Sequence, residues 1–188
     1  MIEGYKGVYE AVKSGLKIDS IFINSDFSKN IDKISPQKVY VVTEQVMKKI
    51  STTETPPEIV CVASKIDFTI DDIVKTQNPI ILVLDNIKDP GNLGTIIRTA
   101  TASNISGIIL TDESVDVYNP KTVRASAANL WKIPIITLSD KELIKQNLSK
   151  YGDFQFVATV VNTKNSYFDV DYTVPTVIFF GSEAEGLS

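Results

Sequence analysis

Residues 80–100 read IILVLDNIKDPGNLGTIIRTA and contain a strand pattern, a turn and a helix pattern in succession. The apolar run over 80–84 is typical of a strand that is buried on both faces. Asp89-Pro90-Gly91 favours a turn. A helix is predicted next, because apolar residues follow at the i, i+3, i+4, i+7 spacing: Leu93, Ile96, Ile97 and Ala100. We predict that Asn92 caps this helix, so that its N-terminus opens at the carboxyl edge of the sheet, where open α/β sheets usually bind ligands.

Further apolar runs alternate with helix patterns along the second half of the chain. They are Gly107–Leu110, Ile133–Ile136, Phe156–Val160 and Val177–Phe180. Near-continuous apolar strands of this kind indicate a mostly parallel sheet with helices on both faces, which is an α/β fold.

Residues 1–64 predict a separate small α/β domain. A helix over Val8–Val12 is expected to end near Gly15, and strands are expected over 20–23, 39–42 and 59–63. Thr43 is a plausible N-cap for a helix between the second and third of these strands. Residues 65–79 are interpreted as a partly helical connector, and residues 80–188 as the second domain.

Composition excludes several kinds of chemistry. The 188 residues include no histidine and one cysteine, Cys61, so catalytic dyads that depend on histidine, disulfide frameworks and nearly all zinc sites are excluded. The net charge of −4 argues mildly against a surface that is basic throughout, although a local basic patch is compatible with it. With neither a signal segment nor a membrane-spanning run in the sequence, we expect a cytoplasmic protein without membrane or metal partners.

Three segments could carry chemistry, and each also has a plain structural interpretation. Residues 85–100 could form a ligand-binding strand–turn–helix, or an ordinary capped helix with Arg98 as a solvated cation. Residues 179–188 could form a glycine-bracketed binding loop or a flexible acidic turn. Residues 118–129 contain Pro120 near a helix start and small residues over 125–128, which permit close approach of another backbone. Lys121 and Arg124 share one face of that helix, but a plain surface helix would also present them in this way.

Together the three segments resemble the SpoU-type RNA ribose 2′-O-methyltransferases. The family's first motif, Asn-x-x-x-x-x-Arg, is matched by Asn92 and Arg98. Its second motif, Gly-x-Glu-x-x-Gly-Leu, is matched by Gly181, Glu183, Gly186 and Leu187. The small-residue helix is similar to the family's intervening Arg-Ala-Ser-Ala segment. Residues 80–188 carry the resemblance strongly. Residues 3–64 resemble, more weakly, the small RNA-binding domain that often precedes it.

The resemblance implies a knot-type α/β methyltransferase domain, S-adenosylmethionine as methyl donor, RNA (most plausibly ribosomal RNA) as acceptor, and a homodimer. It implies a catalytic group of Arg98, Asn92 and Glu183. The implied donor-binding residues are Gly181, Ser182, Gly186, Leu187, Thr159 and Val160. A local RNA-binding patch is expected from Lys88, Lys121, Arg124 and Arg98.

The chain departs from the family pattern at both ends. Family members continue past Gly-Leu-Ser into a third motif, which the sequence lacks, and Met1–Gly4 reads as the tail of a strand. We therefore expect a chain that is trimmed at both ends relative to the family. One alternative is a non-catalytic RNA-binding remnant that cannot hold the donor. Another is an unrelated α/β ligand-binding protein with a chance double match.

Overall fold

The computed structural model describes residues 1–27, 38–111, 113–139, 141–182 and 184–187. Its N-terminal part is a four-stranded sheet with two helices. The strands are β1 (Ile2–Glu3), β2 (Ile18–Asn24), β3 (Val39–Val42) and β4 (Ile59–Ala63), and the helices are α1 (Tyr5–Lys13) and α2 (Glu44–Ile50). The strand order is β1-β4-β2-β3, in which only the β2–β3 pair is parallel. The predicted elements of this part are confirmed, including the cap of α2 by the Thr43 side chain, which accepts the N–H of Val46.

The second part is a five-stranded sheet with four helices. Its elements in chain order are α3 (Ile70–Ile73), β5 (Ile80–Leu84), α4 (Pro90–Ala102), β6 (Gly107–Thr111), α5 (Pro120–Ala125), β7 (Ile135–Leu138), α6 (Lys141–Leu148), β8 (Gln155–Ala158) and β9 (Thr176–Phe180). Short 3₁₀ turns lie at Ser149–Tyr151 and Tyr167–Asp169. The helical turn expected in the connector over 65–79 is α3.

All neighbouring strands of the second sheet are parallel, in the order β7-β6-β5-β9-β8. The predicted parallel α/β sheet is therefore confirmed. From β5 the chain builds outward through β6 to β7, and it then returns to the other side of β5 for β8 and β9. The topological switch point lies between β5 and β9, which is where open sheets of this kind bind ligands.

Helices cover both faces of this sheet. Leu93 and Ile97 of α4 pack with Leu82 and Leu84 on one face. On the other face, the helices contribute Ile73 of α3 and Ile144 and Leu148 of α6. These side chains pack against the sheet residues Ile81, Val83 and Ile109. The central strands β5 and β6 are almost completely buried, as predicted, whereas β7 and β8 lie at the edges and are partly exposed. Strand β7 begins at Ile135, later than predicted, because the preceding Pro134 has no N–H to donate.

The start of α4 differs from the prediction. Asp89, not Asn92, is the N-cap: its carboxylate accepts the N–H of Asn92 at 2.8 Å. Pro90 is the first helical residue, because its fixed φ suits that position and its missing N–H leaves no donor unsatisfied there. The N–H of Asn92 and the ammonium of Lys121 both stabilise the ionised carboxylate and lower the pKa of Asp89.

Helices α4 and α5 pack at unusually short range through small residues. A Cβ added at Gly94 would lie 2.8 Å from both the carbonyl carbon of Ala125 and the backbone nitrogen of Ser126. The predicted role of the small residues after Arg124 is therefore confirmed: they let a second backbone approach closely.

The two parts of the chain share one hydrophobic core. A single cluster of buried side chains extends from α1 and the N-terminal sheet to the face of the second sheet that α4 covers. Cys61 lies within it, and burial raises the pKa of its thiol to about 12. None of the helices in the described ranges is long and apolar enough to cross a membrane.

The Gly94 contact leads to a stability prediction. We expect Gly94→Ala to lower the free energy of unfolding by about 1 kcal/mol, because overpacking costs roughly 1–3 kcal/mol while the gain in helix propensity returns about 1. Urea denaturation followed by circular dichroism measures the change. Thr95→Ala, at the exposed neighbouring position, is the control and should stay within about 0.5 kcal/mol of the parent. An unchanged midpoint for Gly94→Ala would contradict the close packing described here.

Candidate active site at the carboxyl edge of the parallel sheet

Three chain segments meet where β5, β9 and β8 end. The N–H of Asp85 donates to the carbonyl oxygen of Phe180 at 2.8 Å. The N–H and the hydroxyl of Thr159 donate to the carbonyl oxygen of Phe179 at 3.0 and 2.9 Å. These bonds join the loop after β8, the loop after β9 and the turn that leads into α4, so the first two predicted segments lie side by side at the switch point.

The loop over residues 181–187 folds back on itself. The backbone of Ser182 and that of Gly186 exchange two hydrogen bonds of 3.0 Å each, and the N–H of Glu185 donates to the Ser182 hydroxyl. A Cβ at Gly181 would overlap the backbone carbonyl of Gly186, and Gly186 itself has a φ of 73°. Both glycines of the second motif are therefore required by the backbone conformation.

Four of the six residues predicted to bind the donor belong to this loop, and the other two, Thr159 and Val160, follow β8. Gly181, Ser182 and Leu187 are half-buried, whereas Thr159, Val160 and Gly186 are exposed. The hydrogen bonds of Thr159 to Phe179 bring the loop after β8 against the start of the loop after β9. Glu183 lies outside the described residues, so its predicted catalytic role stays a prediction.

Arg98 is exposed on α4, and the described part of the chain offers it no ion-pair partner. It follows Gly94 by four residues, and residues with this spacing lie on the same side of a helix. Since Gly94 packs against α5, Arg98 lies on the side of α4 that faces α5. Asn92 is in the first turn of the helix and is also exposed. The structure therefore brings α5, the third predicted segment, against the first.

Unlike Arg98, the other three cations predicted for RNA binding each contact an acidic residue. Lys88 lies 3.7 Å from a carboxylate oxygen of Glu113 and donates to its backbone carbonyl. Lys121 lies 3.2 Å from Asp89. Exposed pairs of this kind contribute little to stability, so these lysines can exchange their partners for phosphate at small cost.

Arg124 has a different environment from the two lysines. Its guanidinium crosses to the N-terminal part of the chain and lies 3.3 Å from Glu3. Lys121 and Arg124 share one helical face, as predicted, yet they contact different parts of the chain.

Sequence reasoning missed Glu3 altogether. The side chain of Glu3 is 5% exposed and accepts hydrogen bonds from Thr52 and Arg124, which are 49 and 121 residues away in sequence. No local pattern could have revealed such distant partners. Asp89 was also missed, although an Asp followed by Pro is a recognised signal for a helix start.

Family models match both parts of the chain. Residues 79–188 match the SpoU rRNA methylase family, and residues 1–61 match the MRM3-like substrate-binding domain. An uncharacterised tRNA/rRNA methyltransferase of Synechocystis is 35% identical over 84% of this chain and 57% of its own length. A 23S rRNA uridine 2′-O-methyltransferase of Streptomyces viridochromogenes is 28% identical over 82% of this chain and 55% of its own length. The chain therefore spans a little over half the length of these two relatives.

Solved structures agree with this relationship. The AdoMet-bound rRNA methyltransferase from Sinorhizobium meliloti superposes with a TM-score of 0.83 at 32% identity, over 99% of this chain and 71% of that one. The AdoMet complex of the SpoU methyltransferase AviRb from Streptomyces viridochromogenes superposes with a TM-score of 0.89 at 24% identity, over 100% and 74% of the two chains. This chain therefore has the fold of these two methyltransferases, which is consistent with the predicted knot type. By its sequence over residues 79–188, this chain is a member of the SpoU rRNA methylase family.

Proposed function

We propose that the protein transfers a methyl group from S-adenosylmethionine to a ribose 2′-hydroxyl of ribosomal RNA. The observation that carries the proposal is the hydrogen bond from Asp85 to Phe180 at the switch point of the sheet, which brings the segment that leads into the first motif beside the segment that leads into the second. The relatives named above as rRNA methyltransferases support the substrate class.

The loop over 181–187 is the part of the site that we assign to the donor. The close contact of Gly181 with Gly186 leaves no room for a side chain there and fixes the shape of the loop. Val160 beside it is 55% exposed and offers an apolar surface. In this proposal Gly181, Ser182, Gly186, Leu187, Thr159 and Val160 hold the donor. S-adenosylmethionine would supply a methyl group on a positively charged sulfur, which is a good leaving group.

Arg98 then acts on the acceptor. A guanidinium stays protonated in proteins and cannot serve as a general base. Its N–H groups can instead bind a substrate phosphate and stabilise the negative charge that develops on the 2′-oxygen as its proton leaves to solvent water. That oxygen then forms the new C–O bond as the S–C bond breaks, and the demethylated donor leaves as a neutral thioether. The chain has no histidine to take the proton, so alignment and charge stabilisation are the contributions we assign to this site.

A direct test uses the protein expressed from its natural reading frame. Calorimetric titration measures the binding of S-adenosylmethionine and of its demethylated product. Incubation with radiolabelled donor and an in vitro transcribed 23S rRNA, followed by nucleoside analysis, detects a 2′-O-methylated nucleotide. Donor binding without transfer to any RNA would favour the non-catalytic alternative, and the absence of both would overturn the proposal.

Gly181→Ala tests the donor loop. The added Cβ overlaps the Gly186 carbonyl, so the loop must open, and we expect donor affinity to fall roughly ten-fold or more. The same titration measures this, with Ala184→Ser as a control at an exposed position of the same loop. Equal affinity of Gly181→Ala and the parent would show that the loop does not hold the donor.

Arg98→Ala tests the catalytic assignment. Because Arg98 is exposed, we expect the variant to keep its unfolding midpoint, while kcat on RNA falls roughly 10²–10³-fold through loss of a charge-stabilising donor. Lys145→Ala, which removes an exposed cation from α6 on the opposite face of the sheet, is the matched control. Near-normal turnover of Arg98→Ala would refute the assignment.

We also infer a homodimer that forms through the β8–β9 side of the molecule. Large apolar side chains are exposed along this part of the chain: Phe156, Val160, Val161, Tyr167, Phe168, Val174 and Phe180. An extended apolar surface of this kind is typical of protein–protein contacts.

Phe168→Asp tests the dimer, since this ring is 79% exposed. We expect sedimentation velocity to give a dimer for the parent protein and a monomer for the variant. Val41→Asp, which is 69% exposed on the N-terminal sheet, should leave the dimer intact. A monomeric parent, or a Phe168→Asp variant that stays dimeric, would contradict the inference.

A further inference from the structure

A groove of about 260 Å³ lies between the N-terminal part of the chain and the end of α5. Its walls come from both parts and combine charged, small and aromatic residues. They are Ile2, Glu3, Lys6 and Gly7 on one side, and Val123, Arg124, Ala127, Ala128 and Trp131 on the other.

The groove adjoins the contact between α5 and α4, the helix that bears Arg98. Gly94 lies against Ala125 and Ser126 at the end of α5, and the groove residues Ala127 and Ala128 follow directly in sequence. Arg98 is one helical turn beyond Gly94 on the same side of α4. In the proposed function, a strand of RNA that places a ribose at Arg98 and also contacts the N-terminal part of the chain can run along this groove.

Arg124 is fixed in the groove by one of its terminal nitrogens. Its Nη1 donates to Glu3 Oε2 at 3.3 Å and to the Thr52 hydroxyl. Glu3 is itself held by the N–H of Thr52 at 2.7 Å and by the Thr52 hydroxyl at 3.0 Å, both through Oε1. The Glu3 side chain is 5% exposed, so the anchor is buried while the guanidinium is 36% exposed.

The rest of the guanidinium can still bind a ligand. Arginine has five N–H donors, and every hydrogen bond that it makes to a described residue uses Nη1. No described residue accepts from Nε or Nη2. The anchor at Nη1 fixes the orientation of the guanidinium and leaves the N–H groups of Nε and Nη2 available. A phosphate can accept two parallel hydrogen bonds from such a pair of donors.

Lys6 supplies a second cation at the same groove. It lies in the first turn of α1, is exposed, and has no ion-pair partner within the described residues. The indole of Trp131 forms part of the wall and offers an apolar surface next to these charges. A phosphate beside a flat apolar surface is the chemistry of an RNA strand with unpaired nucleotides.

We propose that this groove binds the backbone of the substrate RNA near the methylated nucleotide, through Lys6 and the open edge of Arg124, with Glu3 as the residue that positions Arg124. The proposal rests on the proposed function and extends it. It assigns roles to Lys6 and Glu3 that neither sequence motif contains, and it gives the junction between the two parts of the chain a share in substrate recognition.

The salt dependence of RNA binding tests the two cations. Filter binding of the full protein to in vitro transcribed 23S rRNA is measured over a range of salt concentrations for the parent, Lys6→Ala and Arg124→Ala. We expect each variant to lower the slope of log K against log salt by about 0.7, and to bind about five-fold more weakly at 0.1 M salt, as for one lost phosphate contact on a single strand. Lys13→Ala, in the last turn of the same helix α1, is the control and should match the parent.

Arg124→Lys and Glu3→Gln test the positioning. Arg124→Lys keeps the charge, but its single ammonium cannot contact Glu3 and a phosphate at the same time in the way that two edges of a guanidinium can. We therefore expect this variant to bind RNA as weakly as Arg124→Ala. Glu3→Gln removes a negative charge beside the groove, which by charge alone would strengthen RNA binding. If Glu3 positions Arg124, the affinity falls instead, with a raised KM and little change in kcat. Urea denaturation identifies any variant whose loss follows from unfolding, and Lys6→Ala, which breaks no described hydrogen bond or salt bridge, remains decisive in that case.

The outcomes separate the two proposals. If the parent protein neither binds nor methylates 23S rRNA, the proposed function fails. If the parent methylates RNA while Lys6→Ala has the slope of the parent, or Glu3→Gln binds RNA as tightly as the parent or more so, the groove proposal is overturned and the function stands.

Discussion

The insertion of β9 between β5 and β8 is the constraint on which the candidate site depends. In the parallel pairing of β9 with β5, Phe180 lies opposite Leu84, so that the two strands end side by side at the carboxyl edge of the sheet. The bond from Asp85 to the Phe180 carbonyl then holds the turn into α4 beside the loop over 181–187. Segments nearly 100 residues apart in sequence become one site, although neither contains a histidine or a metal-ligand pattern.

The regular elements could be predicted because their signals are local. Apolar runs located β5, β6 and β9, and the periodicity over 93–100 located α4. The α4 cap was assigned wrongly because Asp89 and Asn92 are both good capping residues, and the Pro at position 90 decides between them. Residue spacing alone left Arg98 compatible with an ordinary surface cation. The resemblance to the family came from two motifs in the right order and not from any single residue.

Contacts between distant residues could not be predicted. Glu3 lies in a two-residue strand with no distinguishing pattern, yet it connects β1, the segment after α2 and α5. The small residues after Arg124 indicated close packing but not its partner, which is Gly94. The net charge also gave no indication of the ion pairs, in which Lys88, Lys121 and Arg124 each lie beside a carboxylate from a distant part of the sequence.

The position of β9 also has a consequence for synthesis on the ribosome. Strand β5 emerges about 100 residues before its neighbour β9, so until then one edge of this central strand stays unpaired. Its side chains over 80–84 are apolar, and an unpaired apolar edge readily recruits other strands. The nascent chain therefore stays vulnerable to aggregation until nearly all of residues 1–188 have been translated, and closure of the sheet and assembly of the loop over 181–187 become the same late folding event.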